Sequence, residues 1–257
     1  MTTPAVLTRS ERAGAATPAA SAATPSTTGA PSVRAFDPAH DPLDAQIQAE
    51  RPRFADRTGW TTQVTQPTRG SFTIVDGKSF CESKLTVSAS PAEVAAQLVD
   101  PASWNRWYGS FHMGERTRVV FDPKRSMDGT IKYTLMPTGA IGPDQAMIGL
   151  RIREEMHPPR RLPDGGYVIP IQLRGGAAGL AYFELRPAPG GGTEILGRFN
   201  GVAPGKWLPF SPEQFTRNHL MVEAGRANEI PLIGLTVGTG GGLPELASAN
   251  GWKTRSP

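Results

Sequence analysis

Apolar and polar residues alternate in short runs between residues 71 and 202, and these runs are rich in β-branched and aromatic residues. Such alternation is typical of strands with one buried face. Turn sequences separate the runs, for example PDGG at 163–166 and PGGG at 189–192. The predicted strands are 79–89, 115–121, 129–136, 145–155, 167–173, 180–186 and 194–202. We therefore expect a meander of about seven antiparallel strands.

The tetrapeptide SPAE at 90–93 predicts the start of a short helix. It supplies an N-cap residue, a first-turn proline and a first-turn acid. The pair DP at 100–101 is expected to end this helix and to begin a second short helix, which contains Trp104, Trp107 and Tyr108.

Two more helices are predicted on either side of the strands. The sequence DPLDAQIQAER at 41–51 has apolar residues near helical spacing behind a first-turn proline, and Pro52 is expected to end this helix. Residues 53–69 then form an extended connector. The tetrapeptide SPEQ at 211–214 is a capping box, which predicts a long helix as far as residue 230.

Composition divides the chain into four segments. Residues 1–35 include 25 that are Ala, Ser, Thr or Pro and one acid, so we expect a disordered tail; a transit peptide is the alternative interpretation. Residues 36–69 contain the short helix and the connector, and residues 70–230 form the domain. Residues 231–257 are an apolar extension, which either closes a cavity as a lid or packs on the outside of the sheet.

The segment LTVSASPAEVAAQLVDPASWNRWY at 85–108 resembles the opening motif of the START-like (SRPBCC) superfamily. The order of strands and the final helix extend this resemblance over residues 78–230. The resemblance implies an α+β helix-grip fold, in which a long C-terminal helix closes a curved antiparallel sheet over an apolar cavity. The superfamily includes polyketide cyclases, lipid carriers, receptors and oxygenases, so the resemblance implies a cavity and no particular reaction.

Candidate site residues follow from the side-chain periodicity of helices and strands. On the predicted long helix, Phe215, His219 and Val222 are four and three residues apart, so His219 is expected to face the cavity. An imidazole there could act as general base or proton donor. Its candidate catalytic partners are Tyr133, Tyr182 and Glu184. The predicted ligand-binding residues are Trp104, Trp107, Tyr108, Tyr133, Tyr167, Ile169, Tyr182, Phe215, His219 and Val222.

The charge of the chain is mildly basic, with a net charge of +4 and a pI near 9.5. The basic residues do not form the dense stripe that is typical of a nucleic-acid interface, so we expect no nucleic-acid partner. Four arginines at 151–161 border one turn, and we expect them to be solvated beside Glu154 and Glu155. Binding of a carboxylate or a phosphopantetheine arm is the alternative role for this group and for Arg198.

Metal and membrane signals are both weak. The four histidines and the single cysteine, Cys81, have no metal-ligand spacing, so we expect no metal ion and no cofactor. We expect Cys81 to be an ordinary strand residue, and a single cysteine agrees with a reducing compartment. No run approaches the roughly 18 apolar residues that span a bilayer, and the N-terminal residues lack the apolar core of a secretory signal. We therefore expect a bacterial protein of the cytoplasm.

Three functions remain open from the sequence. The favoured one is binding or carriage of a hydrophobic small molecule, such as a lipid, a quinone or a polyketide-like compound, in an internal cavity. The second is a cofactor-independent polyketide cyclase or aromatase that uses His219 with a Tyr or Glu partner. The third is a regulatory or stress protein that acts through its surface. Binding is favoured because the sequence contains neither a nucleophile motif nor paired carboxylates.

Overall fold

A computed structural model of the chain describes residues 33–65, 68–103, 117–121, 128–137, 152–204 and 243–255. Within these ranges the chain forms a large, mainly antiparallel sheet of twelve strands together with a few helices. The α+β class and the antiparallel sheet predicted from the sequence are confirmed. The predicted long helix at 211–230 lies outside the described residues.

The described elements follow the predicted order, with additional strands before residue 79, at 160–161 and after residue 250 and an additional helix at 243–249. The helices are α1 (Pro42–Ala55), α2 (Pro91–Leu98) and α3 (Leu243–Ala249). The strands are β1 (Arg34–Ala35), β2 (Thr61–Thr65), β3 (Thr68–Val75), β4 (Lys78–Val87), β5 (Thr117–Phe121), β6 (Ile131–Pro137), β7 (Ile152–Met156), β8 (Arg160–Arg161), β9 (Tyr167–Gly175), β10 (Ala177–Pro187), β11 (Thr193–Pro204) and β12 (Thr254–Arg255).

The main path of the sheet is β2-β3-β4-β11-β10-β9-β7-β6-β5, and every neighbouring pair on this path is antiparallel. Register shifts occur between Ala178 and Leu180 on β10 and between Asn200 and Val202 on β11. Gly201 adopts a φ of 74° there, and a Cβ on Gly179 would lie 2.8 Å from the Gly201 carbonyl oxygen. Such irregularities increase local twist and bend a sheet.

The sheet has an apolar core on each face. The inner face is the side covered by α2 and α3, and its core includes Leu85, Leu98, Ile169, Phe183 and Phe199. The outer face is the side covered by α1, where Ile47 and Phe54 of the helix pack with Phe80, Val168, Leu180 and Tyr182. Because each strand presents successive side chains to opposite faces, the central strands contribute to both cores.

Helix α1 is longer than the sequence predicts. Asp41 caps its start by accepting a hydrogen bond from the Leu43 N–H at 2.9 Å, and the helix continues through Pro52 to Ala55. The prediction that Pro52 ends the helix is therefore wrong. A proline inside a helix removes one backbone hydrogen bond, but burial of Phe54 against the sheet favours the last turn.

The residues after α1 join the sheet. Residues 61–65, which were predicted as part of a connector, form β2 and pair with β3. In α2 the predicted cap is confirmed, because Ser90 and Glu93 form a reciprocal capping box. Residues 101–103 are helical, whereas Trp104, Trp107 and Tyr108 lie outside the described residues.

Residues 243–255, the described part of the C-terminal extension, contact the inner core and the sheet. Leu243, Leu246 and Ala247 of α3 belong to the inner core, and β12 pairs with β4 at Thr86 and Val87. This part of the extension therefore forms a helix and a short strand, and its helix packs in the inner core rather than on the outside of the sheet. The role of the extension as a lid stays a prediction. In the described part of the chain no helix has the length and apolar character needed to cross a membrane.

We predict that Phe54→Ala lowers the free energy of unfolding by about 3–5 kcal/mol, because it leaves a cavity between α1 and the sheet. Urea unfolding followed by circular dichroism measures this change. Gln46→Ala on the exposed side of α1 is the control and should change stability by no more than about 0.5 kcal/mol. Equal stability of the two variants would show that α1 does not contribute to the folded domain.

Candidate functional site

Strands β6 and β7 place a carboxyl group in the inner core. Tyr133 on β6 pairs with Glu154 on β7, and Leu173 of β9 lies on the other side of Glu154. Glu154 is only 1% exposed, and Met156, two residues further along β7, belongs to the same apolar core. A glutamate therefore occupies a position that alternation normally gives to an apolar side chain.

Among the described residues, Glu154 has one hydrogen-bond partner and no countercharge. The Tyr133 hydroxyl donates to Oε2 of Glu154, whereas Oε1 is buried with no hydrogen-bond partner among the described residues. No Lys or Arg in these ranges forms an ion pair with Glu154. Burial raises the pKa of Glu154 to about 8, although the Tyr133 hydrogen bond acts in the opposite direction. At neutral pH the group is therefore mainly a neutral acid with an O–H donor.

The sequence contained a signal for this residue. Glu154 was expected to be solvated beside a turn, but it is flanked at two-residue spacing by Ile152 and Met156, which is the alternation of a buried strand face. Of the predicted ligand-binding residues, Tyr133, Tyr167 and Ile169 lie on this same inner face.

Tyr182 and Glu184 lie on the outer face. Tyr182 pairs with Pro170 and Glu184 with Val168 on β9, so both side chains are on the opposite side of the sheet from Ile169. The structure therefore does not bring Tyr133 together with Tyr182 and Glu184. This follows from the register between β9 and β10. A catalytic or ligand-binding role for each of them stays a prediction.

Glu184 belongs to a buried ion network that is centred on Arg198. Nε and Nη2 of Arg198 each lie 2.6 Å from Oε2 of Glu82, and Nη1 of Arg198 donates to Glu184. Arg51 contacts Glu184 at 2.6 Å and Arg186 contacts it at 2.8 Å. One carboxylate thus receives hydrogen bonds from three arginines.

On the outer face, burial and neighbouring charges shift the pKa values of three ionisable groups further from 7. Burial opposes ionisation of Glu184, but Arg198, Arg186 and Arg51 outweigh it and lower its pKa. Burial raises the pKa of Tyr182 to about 12. For Arg198, burial is outweighed by Tyr182, Glu82 and Glu184, so its pKa is raised. Because proton transfer is efficient when the pKa lies near the working pH, these groups suit fixed charge better than acid-base chemistry.

The remaining candidates are divided between the described and undescribed ranges. Phe215, His219 and Val222 lie outside the described residues. Arg160, which was expected to be solvated, is buried and forms ion pairs with Asp41 and Asp44, linking β8 to the start of α1. No group of three or more His, Cys, Asp or Glu side chains suited to a metal ion occurs within the described ranges.

No family model matches the sequence, and no curated protein matches it. Among solved structures, the chain is similar to a STAR-related lipid transfer protein from Xanthomonas axonopodis, with 13% identity over 74% of this chain and 97% of that chain and a TM-score of 0.47. It is also similar to the lipid transfer and protein localization domain of human StarD13, with 14% identity over 73% and 93% of the two chains and a TM-score of 0.47.

Human STARD10 is a third similar structure, with 11% identity over 73% of this chain and 79% of that chain and a TM-score of 0.46. The three neighbours are START domains, the family that the segment 85–108 resembles. At identities of 11–14% and TM-scores of 0.46–0.47, the likeness carries no argument about a ligand or an activity.

We predict that Arg198→Met lowers the free energy of unfolding by about 3 kcal/mol or more, because it removes the cation shared by Glu82 and Glu184. Arg174→Gln is the control, since Arg174 is 65% exposed and lies 3.8 Å from Glu155; it should cost no more than about 1 kcal/mol. Unfolding in urea, with no guanidinium present, measures the free energy of unfolding of both variants. Similar small losses would show that the network does not stabilise the fold.

We predict that the wild-type protein loses stability relative to Glu154→Gln as pH rises from about 4.5 to about 8. In this window the folded state keeps a proton that the unfolded chain has released, so unfolding becomes easier with increasing pH, by at most about 1.4 kcal/mol per pH unit. Urea unfolding of both proteins at several pH values measures the difference. Parallel curves would mean that Glu154 is ionised in the folded state.

Proposed function

We propose that the protein binds a hydrophobic small molecule against the inner face of the sheet. The observation that carries this proposal is Oε1 of Glu154, a buried oxygen in an apolar core without a partner among the described residues. Ligand sites for apolar molecules combine apolar walls with a few polar groups that fix orientation. Glu154 and Tyr133 supply such a pair.

The protonation state of Glu154 indicates which chemical class of ligand the inner face would bind. A buried polar group without a partner costs about 1–3 kcal/mol, and a ligand that accepts a hydrogen bond from the neutral acid would recover this free energy. A carbonyl oxygen on an apolar body has this chemistry. Quinones, polyketide-like compounds and esterified lipids all contain such carbonyls, so the favoured ligand is an apolar carbonyl compound.

A cyclase or aromatase is the second candidate, and the pKa of about 8 at Glu154 favours it. A carboxyl group with this pKa exchanges its proton near neutral pH, as a general acid or base must. In this form of the hypothesis, Tyr133 keeps its predicted role as a partner, and Glu154 replaces Tyr182 and Glu184. The predicted contribution of His219 is retained.

We predict that the full-length protein binds a long-chain methyl ketone about tenfold more tightly than the matching alkane, because only the ketone accepts a hydrogen bond from Glu154. Native mass spectrometry and competition with an apolar fluorescent dye measure both affinities. Glu154→Leu should remove the preference, and Glu154→Gln, which keeps an N–H donor, should retain most of it.

Glu155→Gln is the matched control, because Glu155 is the next residue on β7 and forms ion pairs with Lys132 and Arg174 away from the inner core. Failure of the protein to bind either probe would contradict the proposed function. Exchange of the ketone α-protons with deuterated water, followed by NMR and lost in Glu154→Leu, would support the enzymatic candidate; absence of exchange would support binding alone.

A further inference from the structure

The outer face contains an open pocket that the proposed inner-face function does not use. The pocket lies between α1 and strands β4, β10 and β11 and has a volume of about 710 Å³. This size is within the range of small-molecule sites. The ion network of Arg198, Glu82 and Glu184 forms the floor of the pocket. Phe54 and Leu196 form an apolar part of its wall.

The charges of this network do not balance. Among the described residues, Glu82 and Glu184 are the only acids that form ion pairs with the four arginines Arg51, Arg57, Arg186 and Arg198. Among the other charged residues that line the pocket, Lys84 pairs with Glu194 and Asp164 adds one negative charge. The described lining therefore has five cations and four acids, and it keeps a net charge of +1.

Several guanidinium donors remain available in the pocket. The side chains of Arg51, Arg57 and Arg186 are 28%, 39% and 42% exposed, and each guanidinium has five N–H donors. Arg57 uses Nη2 for Glu82. Nε of Arg51 is buried, so it is not one of these donors, and Nη1 of Arg51 lies 3.5 Å from the side-chain oxygen of Gln48.

The buried part of the network holds these donors in place. Arg198 stacks on Phe54 at 4.7 Å and fixes both glutamates, which in turn orient Arg51, Arg57 and Arg186. A preorganised guanidinium group binds carboxylate or phosphate oxygens with less loss of side-chain entropy. The fixed excess of positive charge favours an anion.

We propose that this pocket is a binding site for a small organic anion. Arg51, Arg57 and Arg186 bind its oxyanion group through charge-assisted hydrogen bonds, and its apolar part packs against Phe54 and Leu196. A phosphate ester and a carboxylate share this chemistry. The site lies on the opposite face of the sheet from Glu154, so the two sites are independent.

Phenyl phosphate is the probe, with phenol as the uncharged match, and titration calorimetry of the full chain at low ionic strength measures binding. We expect saturable binding of phenyl phosphate and none of phenol. Arg57→Gln and Arg186→Gln should each weaken binding at least tenfold. Arg174→Gln removes the same charge outside the pocket and should stay within twofold of the wild type.

Benzoate distinguishes the two sources of the oxyanion, because tighter binding of benzoate would identify a carboxylate ligand at the same site. Non-saturable binding, or equal weakening by Arg174→Gln, would indicate general charge attraction and would overturn the proposal. Circular dichroism verifies that each variant folds, and either pocket variant alone is sufficient for the test. The methyl ketone should not compete with phenyl phosphate, since it is expected at the inner face.

Discussion

Burial of both faces of the central strands is the constraint on which the rest of the structure depends. Strands β4, β11, β10 and β9 contribute to the inner core together with α2 and α3. On the outer face, β4, β10 and β9 pack with α1, and β11 contacts it through Arg198 and Phe54. Strands of this kind are normally apolar throughout, but here the outer face includes Glu82, Glu184 and Arg198. An unpaired buried ion costs several kcal/mol, so α1 can cover this face only because the charges are paired.

Two glutamates show how the same side chain acquires opposite properties on the two faces. Glu154 and Glu184 are each 1% exposed. Glu154 has no cation among the described residues, so desolvation dominates and favours the neutral acid. Glu184 accepts hydrogen bonds from three arginines, so it stays ionised. The inner face therefore contains a neutral hydrogen-bond donor, which the proposed apolar ligand would use, and the outer face contains fixed positive charge, which the proposed anion would use.

Much of the fold could be predicted because it depends on local patterns. The capping box at Ser90 and the alternation in β6, β9, β10 and β11 specify their elements within a few residues. The end of α1 could not be predicted, because the burial of Phe54 outweighs the local effect of Pro52. Residues 61–65 form a strand only through pairing with β3.

The candidate site was less predictable than the fold. Alternation correctly places Tyr182 and Glu184 on the same face of their strand. It does not say whether Tyr133, on another strand, lies on that face of the sheet or on the opposite one. That relation depends on the register between strands, which places Tyr182 opposite Pro170 rather than beside Ile169.

The sequence by itself determined the α+β class, the order of the elements and the alternation of each strand, because these depend on contacts between residues close in the chain. Only the tertiary structure decided that Glu154 is buried with no countercharge among the described residues and that Arg198 is shared by two glutamates. These properties arise from partners far apart in sequence, such as Glu82 and Arg198, whose contact requires strand register and the covering helix together.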